Sequence, residues 1–171
     1  YKNRQGGEKM KRKAILNLVN WKESDSRKPL VIRGARQVGK TWLMKEFGRN
    51  YYDSFVYFNF DEEDQLKSIF ETNKNPQRIV ELLSLIAGEK ILPGQTLIIF
   101  DEIQEYPEIV TAIKFLVEDG RFRYILSGSL LGVEIKNIKS APVGYLQSLT
   151  MYPLDFEEFL QLFHADKKIK I

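Results

Sequence analysis

The chain has 171 residues, 43% hydrophobic and 29% charged, with a net charge of +3 and no cysteine. That length holds one full domain with its own core, and the composition excludes a disordered chain. Disulfide and thiolate chemistry are excluded, no apolar run is long enough to span a bilayer, and the cysteine-free composition fits a cytoplasmic protein; the mild positive charge permits nucleic-acid contact without calling for it.

Taken in order, residues 1–13 are rich in Lys and Arg around Gly6-Gly7 and read as a basic, mobile arm, either a nucleic-acid contact or a solvated terminus. Ile15, Leu18, Val19 and Trp21 recur at helical spacing and predict a short amphipathic helix from Lys13 to about Trp21. A polar link, Lys22 to Lys28, leads to an apolar strand at Pro29–Arg33, a glycine-bounded loop, and a helix that ends near Gly48. Phe55–Phe60 predicts a second buried strand, and Asp61-Glu62-Glu63-Asp64 an acidic helix start, with a metal cluster as the alternative for those four carboxylates. Pro76 opens a helix carrying Ile79, Leu82, Leu83 and Ile86 on one face, and Gly88 ends it. Thr96–Phe100 is a continuous apolar run, the pattern of a strand covered on both faces in a parallel sheet, and it ends in Asp101-Glu102. Pro107 begins a further helix, Arg121–Leu126 makes a fourth strand ending in Ser127-Gly128-Ser129, and residues 130–144 read as a loop. Tyr145–Tyr152 makes a fifth strand, and Asp155 caps a last helix through Phe156, Phe159, Leu160 and Phe163. Strands and helices alternate throughout, which predicts an α/β fold with a parallel sheet and helices on both faces.

The loop carries the sharpest chemical signal. Gly34-Ala35-Arg36-Gln37-Val38-Gly39-Lys40-Thr41 matches G-x-x-x-x-G-K-[ST], in the strand–loop–helix context that this pattern requires. Glycines let backbone wrap closely around a phosphate, and N–H groups at a helix N-terminus point at the anion. Lys40 adds a point charge for the outer phosphates and Thr41 a hydroxyl for magnesium. Gly34 to Trp42 are the expected nucleotide contacts, with Trp42 weighed between packing and stacking on a base. Hydrolysis needs a metal ligand, a group that orients water, and positive charge on the transition state. Asp101 is placed to hold magnesium through its water shell and Glu102 to polarise the attacking water; the alternative is that both merely start a turn. Ser127 or Ser129 could bind the terminal phosphate or the water, or form an ordinary turn. Arg33 and Arg36 are the further basic residues beside the loop, and Arg36 reaches either a phosphate, a neighbouring subunit or solvent. His164, the single histidine, reads as an ordinary surface or interface residue.

Together with Phe-Asp-Glu-Ile-Gln at 100–104, Ser-Gly-Ser-Leu-Leu-Gly-Val at 127–133, Pro-Val-Gly at 142–144 and Tyr-Pro-Leu-Asp-Phe-Glu-Glu-Phe-Leu at 152–160, the loop resembles that of the prokaryotic AAA-type ATPases that carry a C-terminal domain of unknown function, often described as nuclease-like. The likeness runs from about Lys11 to Leu160. It implies a three-layer P-loop core of AAA+ type, strand order 5-1-4-3-2, with ATP and Mg2+ bound. It also implies Walker A at Lys40 and Thr41, Walker B at Asp101 and Glu102, and Ser127 at the sensor-1 position. Relatives often carry a basic residue directly after the glycine corresponding to Gly144, whereas this chain has Tyr145, so one charge at the site or between subunits is missing.

The expected organisation is an arm at 1–13, an ATPase core at 14–163, and a polar tail at 164–171 leading to a C-terminal domain beyond the sequence. The expected function is an ATP-binding and ATP-hydrolysing module that couples nucleotide state to that domain. Partners would be ATP, a further copy of the chain or a protein reached through the C-terminal domain, with nucleic acid weakly supported and no membrane. A non-hydrolysing nucleotide switch and a P-loop small-molecule kinase are the alternatives.

Overall fold

Short runs of β-branched, aliphatic and aromatic residues form the strands that the periodicity predicts, within a computed structural model that describes residues 12–26, 28–72, 74–106, 108–129 and 144–167. The order is α1 (Ala14–Glu23), β1 (Leu30–Arg33), α2 (Lys40–Tyr51), β2 (Ser54–Asn59), α3 (Gln65–Thr72), α4 (Pro76–Ala87) and β3 (Thr96–Asp101). A 3₁₀ turn (Ile103–Glu105), α5 (Ile109–Asp119), β4 (Arg123–Gly128), β5 (Gln147–Thr150) and α6 (Phe156–Lys167) complete it. The five strands lie in the order β2-β3-β4-β1-β5, every neighbouring pair parallel, which is the expected 5-1-4-3-2 read from the other edge.

Strand side chains alternate between two apolar layers. Val31, Val56, Phe58, Ile98, Phe100, Tyr124 and Leu126 face one side, where they pack with Leu66, Ile79, Leu83, Ile113 and Leu116 of α3, α4 and α5. Leu30, Ile32, Leu97, Ile99 and Ile125 face the other, against Leu18, Trp21, Leu43, Met44 and Phe47 of α1 and α2. The same parity puts Tyr57, Asn59, Asp101 and Ser127 on the α2 side of the sheet, at or near the carboxyl ends of their strands. Aromatic contacts densify the first layer: Phe58 and Phe60 each sit within 6 Å of Phe100.

Several boundaries differ from the sequence reading for physical reasons. The helix after the loop does not stop at Gly48 but continues to Tyr51. Gly48 is instead a point of close approach, since a Cβ there would meet Phe55 Cγ at 2.6 Å and Phe55 Cβ at 2.9 Å. Residues 61–64 precede α3 and do not form its first turn, because the N–H groups of Glu62 and Glu63 both bond back to the Asn59 carbonyl at 3.2 and 3.0 Å. Among the described residues no three acidic or imidazole groups converge to hold a metal. Pro76 and Gly88 act as read: Asn75 Oδ1 accepts from the N–H of Gln77 and Arg78, and Gly88 closes α4 in the left-handed conformation. The expected loop at 130–144 and Pro107 lie outside the described residues, except Gly144, which is in a turn. Residues 1–11 also lie outside them, while Arg12 and Lys13, expected in the mobile arm, are bonded to the domain. No helix among the described residues is long and apolar enough to cross a membrane.

Gly48→Ala should destabilise the domain. Alanine ordinarily gains about 1 kcal/mol over glycine inside a helix, but the overpacking against Phe55 costs about 1–3 kcal/mol. Urea unfolding should therefore show a net loss, and an increased midpoint would contradict the close packing of α2 on β2.

Candidate functional site

The loop begins where β1 leaves the sheet between β4 and β5. Gly34 is required there by space: a Cβ would lie 2.4 Å from the Met151 carbonyl oxygen, and Met151 in turn donates its N–H to the Arg33 carbonyl at 2.7 Å. The loop then alternates its backbone hand, with positive φ at Gln37 (64°) and Gly39 (92°). Alternation of this kind turns successive N–H groups into one concavity, the arrangement that binds anions. Gly39 is the N-cap of α2 and offers no side-chain cap, and the first turn of α2 has no acidic residue. The leading N–H groups of α2 thus keep no side-chain acceptor of their own, which is the condition for an anion at a helix N-terminus. Ala35, Arg36 and Gln37 are exposed on the rim, while Val38 is buried in the apolar layer and anchors the loop.

Lys40 turns back over the loop and donates to the carbonyls of Gly34 at 3.0 Å and Ala35 at 2.7 Å. Burial pushes its ammonium below the ordinary lysine value, and the carboxylates of Glu102 and Asp101 oppose that shift. Thr41 Oγ1 donates to Asp101 Oδ2 at 2.7 Å, so the end of the loop and the end of β3 are joined directly. The same oxygen accepts the Tyr57 hydroxyl at 2.9 Å. Burial, with Asp101 adding to it, raises the Tyr57 phenol well above its usual range, which keeps it a donor. Asp101 Oδ1 accepts the N–H of Glu102 at 2.9 Å. Glu102 follows in a left-handed conformation, φ 53° and ψ 41°, which is costly for a residue with a Cβ and is found where a site over-determines the backbone. Its carboxylate is half-buried and accepts from Gln104 Nε2.

Ser127 completes the group from β4, whose register sets it beside Ile32 of the loop strand. Its hydroxyl is fully buried and has no hydrogen-bond partner, an unusual condition for a polar atom. An orphaned hydroxyl at the carboxyl edge, a capless helix end and a buried ammonium fit a phosphate group. One carboxylate and one hydroxyl, Asp101 and Thr41, fit Mg2+, which takes few protein ligands and keeps its waters.

The structure thus brings Lys40, Thr41, Asp101, Glu102 and Ser127 to one edge of the sheet. Arg33 turns away to Ser148 Oγ on β5, at 2.5 Å, and Arg36 is exposed. Ser129 is half-buried just past β4. Trp42 is half-buried against the α1–α2 layer and lines a groove of about 500 Å3 with Leu16, Glu46 and Tyr51. The side chain of His164 lies outside the described residues. Sequence reasoning missed Tyr57, read only as part of a buried strand, and Arg12, read as part of a mobile arm.

A family model described as an AAA domain matches residues 26–160. The uncharacterized protein MJ1544 of Methanocaldococcus jannaschii is 28% identical over 132 residues, a match covering 77% of this chain and 28% of that protein. Among solved structures, AMPPCP-bound DnaA from Aquifex aeolicus is similar with a TM-score of 0.57 at 15% identity, covering 92% of this chain and 51% of that one. Aeropyrum pernix ORC1 in complex with DNA gives 0.55 at 15% identity, with 90% and 47% covered. C. elegans PCH-2 gives 0.52 at 18% identity, with 91% and 44% covered. At these identities the structural likeness establishes the fold, and the chain spans about half of those structures or less than a third of the curated relative.

Ser127→Ala should raise the stability of the nucleotide-free protein by about 1 kcal/mol, since it removes a buried hydroxyl that has no partner. A measured loss of stability would mean that the hydroxyl is satisfied within the protein and does not await a ligand.

Proposed function

Since the chain belongs to the AAA domain family, whose model spans residues 26–160, we propose that it is a Mg-ATP-binding module that hydrolyses ATP slowly. The observation that carries this reading is the direct bond from Thr41 at the end of the phosphate loop to Asp101, with Glu102 next in the chain. In this reading the backbone N–H groups from Ala35 to Thr41 cradle the phosphates, and Lys40 leaves the Gly34 and Ala35 carbonyls for the outer ones. Thr41 and Asp101 are the residues that would hold Mg2+. The ion would neutralise charge on the phosphates. Glu102 orients the attacking water, and Ser127 gives its unpaired hydroxyl to the terminal phosphate or to that water. Trp42 packs beside the loop and contributes at most a wall to the nucleotide.

Slow turnover is the expectation for a chain that acts without a transition-state arginine. Tyr145 stands where the related family often has a base, but it precedes β5 at the amino edge of the sheet and faces the Lys114 ammonium at 5.6 Å, so a base there would act between subunits and not on the phosphates of its own chain. A transition-state arginine contributes about 10³–10⁵ in rate, so its absence leaves binding intact and turnover low. A neighbouring copy of the chain is one source of such a charge. Nucleotide state would be transmitted to a C-terminal effector region, nuclease-like in the related family; the partial coverage of the curated relative is consistent with further chain beyond this module. Nucleic acid remains the weaker partner, because the clustered basic residues are terminal.

Isothermal titration should show Mg-ATP binding abolished by Lys40→Ala, and unaltered binding would exclude the loop as the site. Glu102→Gln should retain binding and lose hydrolysis by about 100-fold or more; full turnover in that variant removes Glu102 from the water-orienting role. Phosphate release from ATP alone, with no acceptor present, separates this reading from a small-molecule kinase, and tight retention without release would favour a switch.

A further inference from the structure

Arg12 is a buried charge that the phosphate chemistry does not use. Its side chain is 5% exposed, and its guanidinium makes three contacts in three directions. Nη1 donates to the Val38 carbonyl inside the phosphate loop at 2.9 Å. Nη2 donates to the Tyr152 carbonyl, after β5, at 2.7 Å. Nε lies 3.2 Å from Glu158 Oε1 in an ion pair whose carboxylate is equally buried, at 6%. The guanidinium also lies behind the loop, since a Cβ on Gly39 would be in ordinary van der Waals contact with Nη1 at 3.6 Å.

Glu158 sits in the first turn of α6 and is engaged on every side. Its Oε2 accepts the N–H of Asp155 at 3.0 Å while its own N–H donates to Asp155 Oδ1 at 2.8 Å, a reciprocal capping box. Its Oε1 accepts the N–H of Lys13 at 2.8 Å. Outside this buried core, Lys13 Nζ pairs with Asp155 at 2.8 Å and Glu157 at 2.6 Å on the surface.

We propose that Arg12 is a positioning residue that fastens the phosphate loop to the start of α6, so that loop occupancy and the seating of α6 form one coupled equilibrium. The inference rests on the Mg-ATP reading for its ligand, though the link itself exists without nucleotide. The chemistry favours an all-or-none link. A planar fork can serve two carbonyls through its Nη groups while its charge stays paired with the carboxylate 3.2 Å from Nε, although Nε donates no hydrogen bond to it, and a lysine ammonium at the end of a flexible stem does not reproduce this. If α6 moves off, Arg12 keeps its charge in a buried place and loses its counterion, a strongly unfavourable state. Any ligand that sets the Val38 carbonyl therefore biases α6, and by reciprocity the seating of α6 changes affinity at the loop. This gives the segment after β5 a way to sense the loop without touching the ligand.

The test separates the link from the helix cap. Glu158→Gln keeps a capping-box acceptor but removes the negative charge from Arg12; Arg12→Met removes the fork, and Arg12→Lys keeps charge without it. In the nucleotide-free 171-residue chain, hydrogen exchange at the Leu43 amide, which bonds to the Gly39 carbonyl of the loop at 3.0 Å, should accelerate in Glu158→Gln, although none of the Glu158 contacts described above is to the loop. Protection of that amide equal to wild type in a folded Glu158→Gln protein would overturn the proposal. With Mg-ATP, titration should show Arg12→Met, Arg12→Lys and Glu158→Gln each about tenfold weaker, and the double variant Arg12→Met with Glu158→Gln no weaker than Arg12→Met alone. Additive losses, or full rescue by Arg12→Lys, would overturn it. If the wild-type chain binds no Mg-ATP, the nucleotide reading falls, and the exchange experiment decides the link by itself.

Discussion

The carboxylate of Asp101 is the constraint on which the site depends. It is almost wholly buried at the carboxyl end of β3, and a carboxylate so placed must be supplied with donors. Three groups supply them: the Thr41 hydroxyl from α2, the Tyr57 hydroxyl from β2 and the N–H of Glu102 in the next position. Satisfying one side chain therefore fixes the end of the phosphate loop, the neighbouring strand and the residue that follows. The left-handed conformation of Glu102 is part of this arrangement, because the bond from its N–H to Asp101 and the buried Ile103 after it leave the backbone little freedom.

The sheet makes this arrangement available through parity alone. Each strand sends alternate side chains to opposite layers, so one choice of register places Tyr57, Asp101 and Ser127 on the side where α2 lies. The same register directs Ile98, Phe100, Tyr124 and Leu126 into the other layer, and the apolar burial there holds the strands against slippage. A shift of one residue would send those side chains into the opposite layer and turn the polar set away from the loop. The site thus inherits its precision from the core, where the burial energy is concentrated.

Strain and compensation meet at the loop. Gln37 takes a positive φ without being glycine, Gly34 has no room for a Cβ, and Gly39 holds a φ of 92° that disfavours any other residue. Support comes from behind, through Val38 in the apolar layer and Arg12 on its carbonyl. The buried pair of Arg12 with Glu158 then carries that support to α6, so the loop is held by the segment after β5 as well as by its own strand.

How much of this was legible in the sequence follows from the range of each interaction. The strand–loop–helix unit at 29–47, the buried run at 96–101, the Asn75-Pro76 start and Gly88 stop of α4, and the Asp155 cap are encoded by neighbouring residues, so periodicity and capping reveal them. Lys40, Thr41, Asp101 and Glu102 could be nominated because a loop pattern and a strand ending in acids are local signals, and Ser127 because it ends a strand. The spacing of Asp155 and Glu158 was equally readable as a capping box, yet nothing local tied Glu158 to Arg12, 146 positions earlier by residue number. Gly48 looked like a helix stop because glycine more often ends helices than accommodates a ring, and only the approach of Phe55 shows which role it has. Residue types and spacing thus determined the elements, their alternation and which polar side chains end at the sheet edge. The tertiary structure decided the partners of Arg12, the donors to Asp101 and the solitude of the Ser127 hydroxyl, because these depend on which side chains the folded sheet brings together and not on their separation along the chain.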